Sequence, residues 1–458
     1  SVQRRIVDEW SLPKPNPALR GQEDIKGAPV PEIEKTQTID RPAQPFRMDV
    51  QIHDLLMKPA AQPTVHPALQ AQGLQPLSLP EPIFPQCKYA EGESMSETAY
   101  RRLNTIRAFK GWAFPYVKSL FHKGELRPII TYLFSEFKCN VDCHYCWSFN
   151  NNVKGMSEDT ARRSLDWIHS IGGRVLALMG GEPLLRPDFI HKITYYAAKN
   201  NFFVYLPTNG RLMRPEVIDR IGDAGVATWN LAIDCVNEKP GLPKALNRIQ
   251  PYFDYLVKQQ RRYGYSVLIN INITHINQDD VKQLTEIAHD NGLATDYHLN
   301  ESPLTEQPHF KHMDRNGTYL TPEDFPKVDE LLDWIVEKQK QGYKMPNPRQ
   351  HFFDMKQLMR GKVDPWPCRA GQNNLIIRTD GTLAPCFPMY SATYDWGTVA
   401  HHKFDVKQLD EMKKDCSTHC LSTCNRILAH CYNSRRAVEW VLKQAVRGFK
   451  GVTGSFED

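Results

Sequence analysis

From Ile129 onward the chain alternates short apolar runs with longer amphipathic ones. Ile129 to Phe137 is mostly apolar and reads as a strand. Ser157 to Ile171 reads as a helix: Ser157 is a candidate N-cap, Glu158 and Asp159 fill the first turn, and Leu165, Ile168 and Ile171 share a face. Val175 to Met179 and Phe202 to Leu206 are strand-like, and Met213 to Ile221 is helical. Strand, helix, strand, helix and strand then follow at Thr228 to Ile233, Lys244 to Arg262, Val267 to Ile273, Asp279 to Asn291 and Ala294 to Leu299. Six strand-and-helix repeats predict an α/β domain with a parallel sheet over residues 129–317. Thr318 to Gly361 is helical in pattern, with Leu331, Leu332, Ile335 and Val336 as its stripe, so 318–365 reads as a helical bridge.

The flanks differ from this core. Residues 1–98 are rich in proline and glutamine and hold no sustained period. Such a segment cannot bury enough apolar surface to offset its ordering entropy, so it reads as an extended or disordered extension. Residues 99–128 form a basic amphipathic segment, in which Arg101, Arg107, Lys110 and Lys118 alternate with Phe109, Trp112, Tyr116 and Phe121. A similar one closes the chain, with Arg435, Arg436, Lys443 and Arg447 beside Trp440, Leu442 and Phe449. Two readings stand: helices packed on the domain with solvated basic faces, or a surface that meets anionic head groups.

Composition narrows the class. Over 458 residues, 41% hydrophobic and 24% charged is ordinary for a globular protein. A net charge of +5 is too small to argue for nucleic acid. No stretch is apolar enough to span a membrane and no secretory signal is visible, so a cytoplasmic location is expected, with a peripheral contact at the inner membrane face as the variant. Eleven cysteines would suggest disulfides in a secreted chain; their spacing here suggests iron and a reducing compartment.

Cys139, Cys143 and Cys146 supply three thiolates in C-x3-C-x2-C spacing, directly after the first strand. A four-iron four-sulfur cluster ordinarily takes four thiolates, so three leave one iron open, and an open position is where a metal site does chemistry. A zinc site with a distant fourth ligand, or a cluster used only for electron transfer, would fit the triplet alone. One strand later comes Gly180-Gly181-Glu182-Pro183. Its glycines permit close backbone approach, and its proline fixes φ and removes a donor.

Together the triplet, with Tyr145 inside it, and the Gly-Gly-Glu-Pro turn resemble the two signatures of the radical S-adenosylmethionine (radical SAM) enzymes. The resemblance implies a six-stranded partial TIM-like barrel, with the site at the C-terminal ends of the strands. It also implies that Cys139, Cys143 and Cys146 hold a 4Fe-4S cluster and that SAM chelates its open iron. One electron then gives a 5′-deoxyadenosyl radical. Gly180, Gly181, Glu182 and Pro183 would bind the SAM amino group. Thr208 and Asn209, in a Thr-Asn-Gly sequence that is also ordinary turn chemistry, would lie near SAM. Where many relatives carry a serine for the ribose this chain has Ala232, so Asn230 or Asp234 would substitute. Asn270 and Asn272 give the fifth strand a polar face, and Asn272 joins the expected SAM contacts. Cys235, at a strand end, reads as a buried small residue or a radical relay. His298, Asn300 and Glu301 are expected near substrate.

A second cysteine set comprises Cys368, Cys386, Cys416, Cys420, Cys424 and Cys431. Asp380-Gly381 predicts a hairpin that would bring Cys368 and Cys386 near each other. The start of this segment resembles the SPASM or twitch extension of radical SAM enzymes, so residues 366–458 are expected to be an auxiliary iron–sulfur domain. The later spacing, C-x3-C-x3-C-x6-C, departs from the full SPASM pattern. One fully ligated auxiliary 4Fe-4S cluster is expected, a second cluster with an open site and a zinc ribbon being the alternatives.

The implied activity is reductive SAM cleavage and hydrogen abstraction from a peptide or protein side chain, with a reductant such as ferredoxin or flavodoxin. A membrane lipid or isoprenoid substrate is the alternative within that chemistry. An iron–sulfur electron-transfer or binding protein without SAM turnover is the alternative outside it.

Overall fold

The computed structural model describes residues 97–113, 126–146, 152–300, 317–390, 395–416, 420–426 and 428. The proline-rich extension up to residue 96, the end of the first basic segment, Glu301, Cys431 and the basic segment at 435–450 lie outside them.

Helix α1 (Glu97–Ala108) precedes the sheet. The core then runs β1 (Ile130–Phe134), α2 (Glu158–Ser170), β2 (Val175–Met179), α3 (Pro187–Lys199), β3 (Phe203–Thr208), α4 (Pro215–Asp223) and β4 (Thr228–Ala232). It continues with α5 (Gln250–Tyr263), β5 (Ser266–Ile273), α6 (Gln278–Asp290) and β6 (Ala294–Leu299). Each strand pairs parallel with the one before it, so β6-β5-β4-β3-β2-β1 is one parallel run of an open sheet. The bridge is a helix pair, α7 (Phe325–Lys340) and α8 (Arg349–Met359).

The strand register sorts side chains by face, because alternate residues point to opposite sides. Leu133, Leu176, Val204, Trp229, Ile269 and Tyr297 are buried in the larger core cluster with the helices. Tyr132, Phe134 and Ala177 point to the other face and join a second cluster with Ile376, Ala384 and Tyr390. That inner face changes character across the sheet: apolar and aromatic on β1 to β3, then Asn230, Asn270, Asn272, Asp296 and His298 on β4 to β6.

Local chemistry explains the elements. Ser157 caps α2, its hydroxyl accepting from the Thr160 amide at 3.0 Å, with Glu158 and Asp159 favouring the positive helix end. Helix α3, which the sequence reading left unnamed, begins with Pro187 and Asp188 and buries Phe189, Ile190, Ile193 and Ala197. The helix expected from Lys244 starts only at Gln250, where Pro251 suits a first turn; Lys244 lies in the loop before it.

The expected hairpin forms: Gly381 has φ +87°, and the Arg378 amide donates to the Thr382 carbonyl at 2.8 Å. Its strands, β7 (Asn374–Ile377) and β8 (Leu383–Ala384), are antiparallel. Strand β7 pairs parallel with β1, so this C-terminal hairpin extends the barrel sheet to eight strands. At the opposite edge no further strand pairs with β6 among the described residues, and the Thr295 amide donates to the Lys344 carbonyl at 2.9 Å. There the buried Asn347 side chain accepts from the Tyr297 amide at 3.0 Å and donates to the Tyr297 carbonyl at 3.1 Å. One side-chain amide thus takes the place of a neighbouring backbone. Among the described residues, no helix is long and apolar enough to cross a membrane.

Candidate functional site

The loops after β1, β2 and β3 are joined by hydrogen bonds. The Gly181 amide donates to the Glu136 carbonyl at 2.9 Å and the Glu182 amide to the Lys138 carbonyl at 2.8 Å. A Cβ on Gly181 would stand 2.3 Å from the Lys138 oxygen, and one on Gly180 2.7 Å from the Glu136 oxygen. The glycines are therefore required by the cysteine loop itself, whose backbone lies against them.

Glu182 is fully buried, and three donors reach its carboxylate: the Thr208 hydroxyl at 2.7 Å, the Asn209 amide at 2.8 Å and the Leu184 amide at 2.9 Å. Burial raises its pKa and these bonds oppose the rise. Asn209 reaches the cysteine loop, donating to Asn140 Oδ1 at 2.8 Å and approaching Cys139 Sγ at 3.9 Å. Asp234 is buried below β4's end, where Oδ2 accepts from Tyr145 and Oδ1 from the Asn272 amide at 2.9 Å. Glu182, Thr208, Asn209 and Asp234 thus meet around the cysteine loop, whereas His298 bonds Asn270 and Asp296, Asn300 bonds Thr318, and Asn230 stands apart. That side chain lies within the inner face and donates to the Tyr205 hydroxyl at 2.5 Å. Asn272 reaches the assembly through its backbone. Cys235 is buried and its thiol is pushed up to about 12, mainly by burial, which suits the packing reading.

Sequence reading missed the loop after β4. Gly241, at φ +77°, accepts at its carbonyl from the His144 amide at 3.0 Å, and a Cβ there would stand 2.6 Å from His144 Nδ1. Three residues on, the Lys244 ammonium sits 5.1 Å from the centre of the Tyr145 ring. Its charge acts on Cys139, Cys143, Glu182 and Asp234. No local pattern marks Lys244, because it is the fold that carries this loop over the cysteines.

Burial pushes the Cys139 thiol up to about 11 and the Cys143 thiol higher; Lys244 pulls against both, and Cys146 adds to the rise. Both thiols are protonated at neutral pH without metal, so metal binding must release their protons. Three thiols close enough to act on one another, with a cation beside them, fit the donor set of an iron–sulfur cluster. Among the described residues no three His, Cys, Asp or Glu side chains converge on one ion. A cluster places each thiolate on a different iron, so its ligands stand wider apart than those of one ion.

The second cysteine set divides. Burial raises the Cys386 thiol, and the charges of Cys368 and Cys416 raise it further, so these three lie together. The Gly371 amide, donating to the Pro385 carbonyl at 3.1 Å, ties their two segments. Cys416 ends α9 (Val406–Cys416), and the Cys420 carbonyl accepts from Trp366 Nε1 at 2.8 Å. Cys424 instead packs against the apolar cluster that holds Tyr132 and Phe134.

A loop of three cysteines at one end of a mostly parallel sheet is thus locked to a Gly-Gly-Glu-Pro turn. Residues 137–290 match the model of the radical SAM superfamily. It is 28% identical over 212 residues to an AdoMet-dependent heme synthase of Methanosarcina barkeri, covering 44% of this chain and 56% of that one. It is 25% identical to the pre-heme d1 synthase of Dinoroseobacter shibae, covering 40% and 47%. It is 26% identical to a GTP 3′,8-cyclase of Campylobacter curvus, covering 54% and 77%. The chain spans about half the length of the first two relatives. Among solved structures it is similar to Streptococcus suis SuiB bound to S-adenosylmethionine. There the TM-score is 0.48 at 14% identity, covering 64% of this chain and 68% of that one.

Proposed function

We propose that this protein is a radical SAM enzyme. The observation that carries the reading is the bonded assembly of cysteine loop, Gly-Gly-Glu-Pro turn and Thr208-Asn209 pair. When bound, the 4Fe-4S cluster supplies one electron that breaks the sulfonium bond of SAM and so gives a radical able to take hydrogen from a substrate. Cys139, Cys143 and Cys146 hold that cluster. The turn at 180–183 presents backbone to SAM, and buried Glu182 keeps it in register with Thr208 and Asn209. Asp234 holds Tyr145, and with it the cysteine loop. The protein's part is orientation and exclusion of water.

The substrate we propose is a peptide or protein side chain, supported by the SPASM-like start of the second cysteine set. Cys368, Cys386 and Cys416 are the core of one auxiliary cluster, and ferredoxin or flavodoxin supplies electrons in the cytoplasm. A second reading, a tetrapyrrole substrate, draws on the relatives named for heme synthesis. The test is anaerobic 5′-deoxyadenosine production by reconstituted, dithionite-reduced protein, alone and with a peptide fraction, a coproporphyrin or a lipid extract. The added fraction that stimulates production identifies the class. No 5′-deoxyadenosine under any condition refutes the enzyme reading and leaves a cluster-binding protein.

A further inference from the structure

We propose that the inner face of β4 to β6 binds a cationic side chain of the substrate, with Asp296 as the anion that anchors it. This rests on the reading of a peptide substrate and names the group of that substrate the protein selects. Strand register sets the site. Asn270 stands beside Asp296 and Asn272 beside His298, all four on one face. The Asn272 amide also donates to Asp234 at 2.9 Å, and Asp234 holds Tyr145 of the cysteine loop. The C-terminal end of this face therefore adjoins the cysteine loop.

The second observation is a pair of acceptors with no donor. Asp296 is 9% exposed and Asn230 7%, and among the described residues neither Asp296 Oδ1 nor Asn230 Oδ1 has a hydrogen-bond partner. Buried acceptors of this kind cost free energy until a donor reaches them. The other Asp296 oxygen lies 3.2 Å from His298 Nε2, which is 2.7 Å from Asn270 Nδ2. Arg426 shares the neighbourhood of His351 with Asp296, but its guanidinium is committed to Asp354 at 2.7 Å. A group that satisfies both acceptors must donate, and beside a carboxylate it gains by carrying positive charge. An ammonium or a guanidinium does both, and a tetrapyrrole carboxylate does neither.

The third observation is where space is left. Trp229, Ile269 and Tyr297, on the opposite face, are wholly buried, whereas Tyr205, Leu268, Asn270 and His298 of the inner face keep partial exposure. The inner face is also divided, aromatic and apolar at Tyr132, Ala177 and Tyr205 and polar from Asn230 onward. A lysine or arginine side chain is divided in the same way, with an apolar stem and a charged head. Asp296 precedes His298 by two residues, so it lies roughly 7 Å further from the strand end. A head held there leaves its stem nearer the cysteine loop.

The test is equilibrium dialysis of tritiated pentapeptides against the full, iron-loaded and SAM-loaded chain, as wild type, D296N and D296S. The peptides are capped Gly-Gly-X-Gly-Gly, with X as arginine, lysine, citrulline or norleucine. We expect wild type to bind the arginine and lysine peptides roughly tenfold more tightly than the two neutral ones, the scale of one charge-assisted bond. D296N and D296S lose that preference. Iron content and thermal melting show that each variant folds, and two variants guard against one failing. Equal binding of all four peptides by wild type overturns the proposal, and so does a preference that survives in both variants. A parallel loss of SAM affinity would make Asp296 a support of the SAM site and overturn it as well. Binding of no peptide overturns the peptide reading with it, and coproporphyrin held instead would favour the tetrapyrrole. A wild-type chain that keeps its iron yet binds no SAM refutes the radical SAM reading itself, an outcome separate from the others.

Discussion

The two cysteine sets of this chain are organised in opposite ways. Cys139, Cys143 and Cys146 lie within eight residues, on a loop held by backbone bonds from the β2 and β4 loops. Cys368, Cys386 and Cys416 span far more chain and meet only because β7 docks on β1 and α9 folds back. Cys424, close in sequence to Cys416, goes elsewhere, to the apolar cluster around Tyr132. Ligands on one loop are a local property, whereas ligands gathered across a fold depend on every contact that gathers them.

The sharpest attack on that contrast is Cys143→Ala. The variant should lose the SAM-cleaving cluster, and 5′-deoxyadenosine should fall to background in a chromatographic assay. Retained cleavage would remove the basis for the whole site. Next is the pair Cys386→Ala and Cys424→Ala. Iron analysis should show the first losing the auxiliary iron and the second keeping it. Equal loss would place Cys424 among the ligands and erase the division within the second set.

Gly181→Ala probes the backbone contact. Its Cβ would meet the Lys138 oxygen at 2.3 Å, so the turn and cysteine loop must part. A loss of about 1–3 kcal/mol in stability, the usual scale of such overpacking, should accompany weaker iron retention. Unchanged melting and iron content would show that the loops can separate freely.

The smallest effect concerns pH. Burial pushes the fully buried His351 imidazole down to about 3, with His298 adding to the fall. An unfolded histidine titrates near ~6.5, so the unfolded chain binds the extra proton first as pH drops. Stability is therefore full above ~6.5 and declines by up to about 1.4 kcal/mol per pH unit below it. His351→Gln should flatten that slope between pH 6.5 and 5 in denaturant titrations. An identical slope would assign the acid sensitivity to other groups.

Much of this architecture is legible in the residues. Short apolar runs marked the six strands, Ser157 announced a cap that forms, and Asp380-Gly381 announced a turn that forms. These are local signals with local causes. Helix α3 had the same kind of signal in Pro187-Asp188 and an apolar stripe, and it went unnamed between two strands read correctly. The start of α5 was placed six residues early because the apolar spacing around Leu246 and Ile249 imitates a helix, while Pro251 sets the real first turn. The partnership of β7 with β1 had no sequence sign, since parallel pairing links segments some 240 residues apart through tertiary packing. Lys244 was hidden for the same reason. Its role comes from a loop crossing over cysteines a hundred residues earlier.

The Asn347 clamp on Tyr297 has a consequence for how many copies of this molecule can share a solution. An open sheet ends in exposed donors and acceptors that another sheet could continue, and that is a route to fibres. By occupying the Tyr297 amide and carbonyl with a side chain, the molecule terminates its own sheet at that position. Asn347 and the backbone at Lys344 thus close this edge of the sheet from within the molecule.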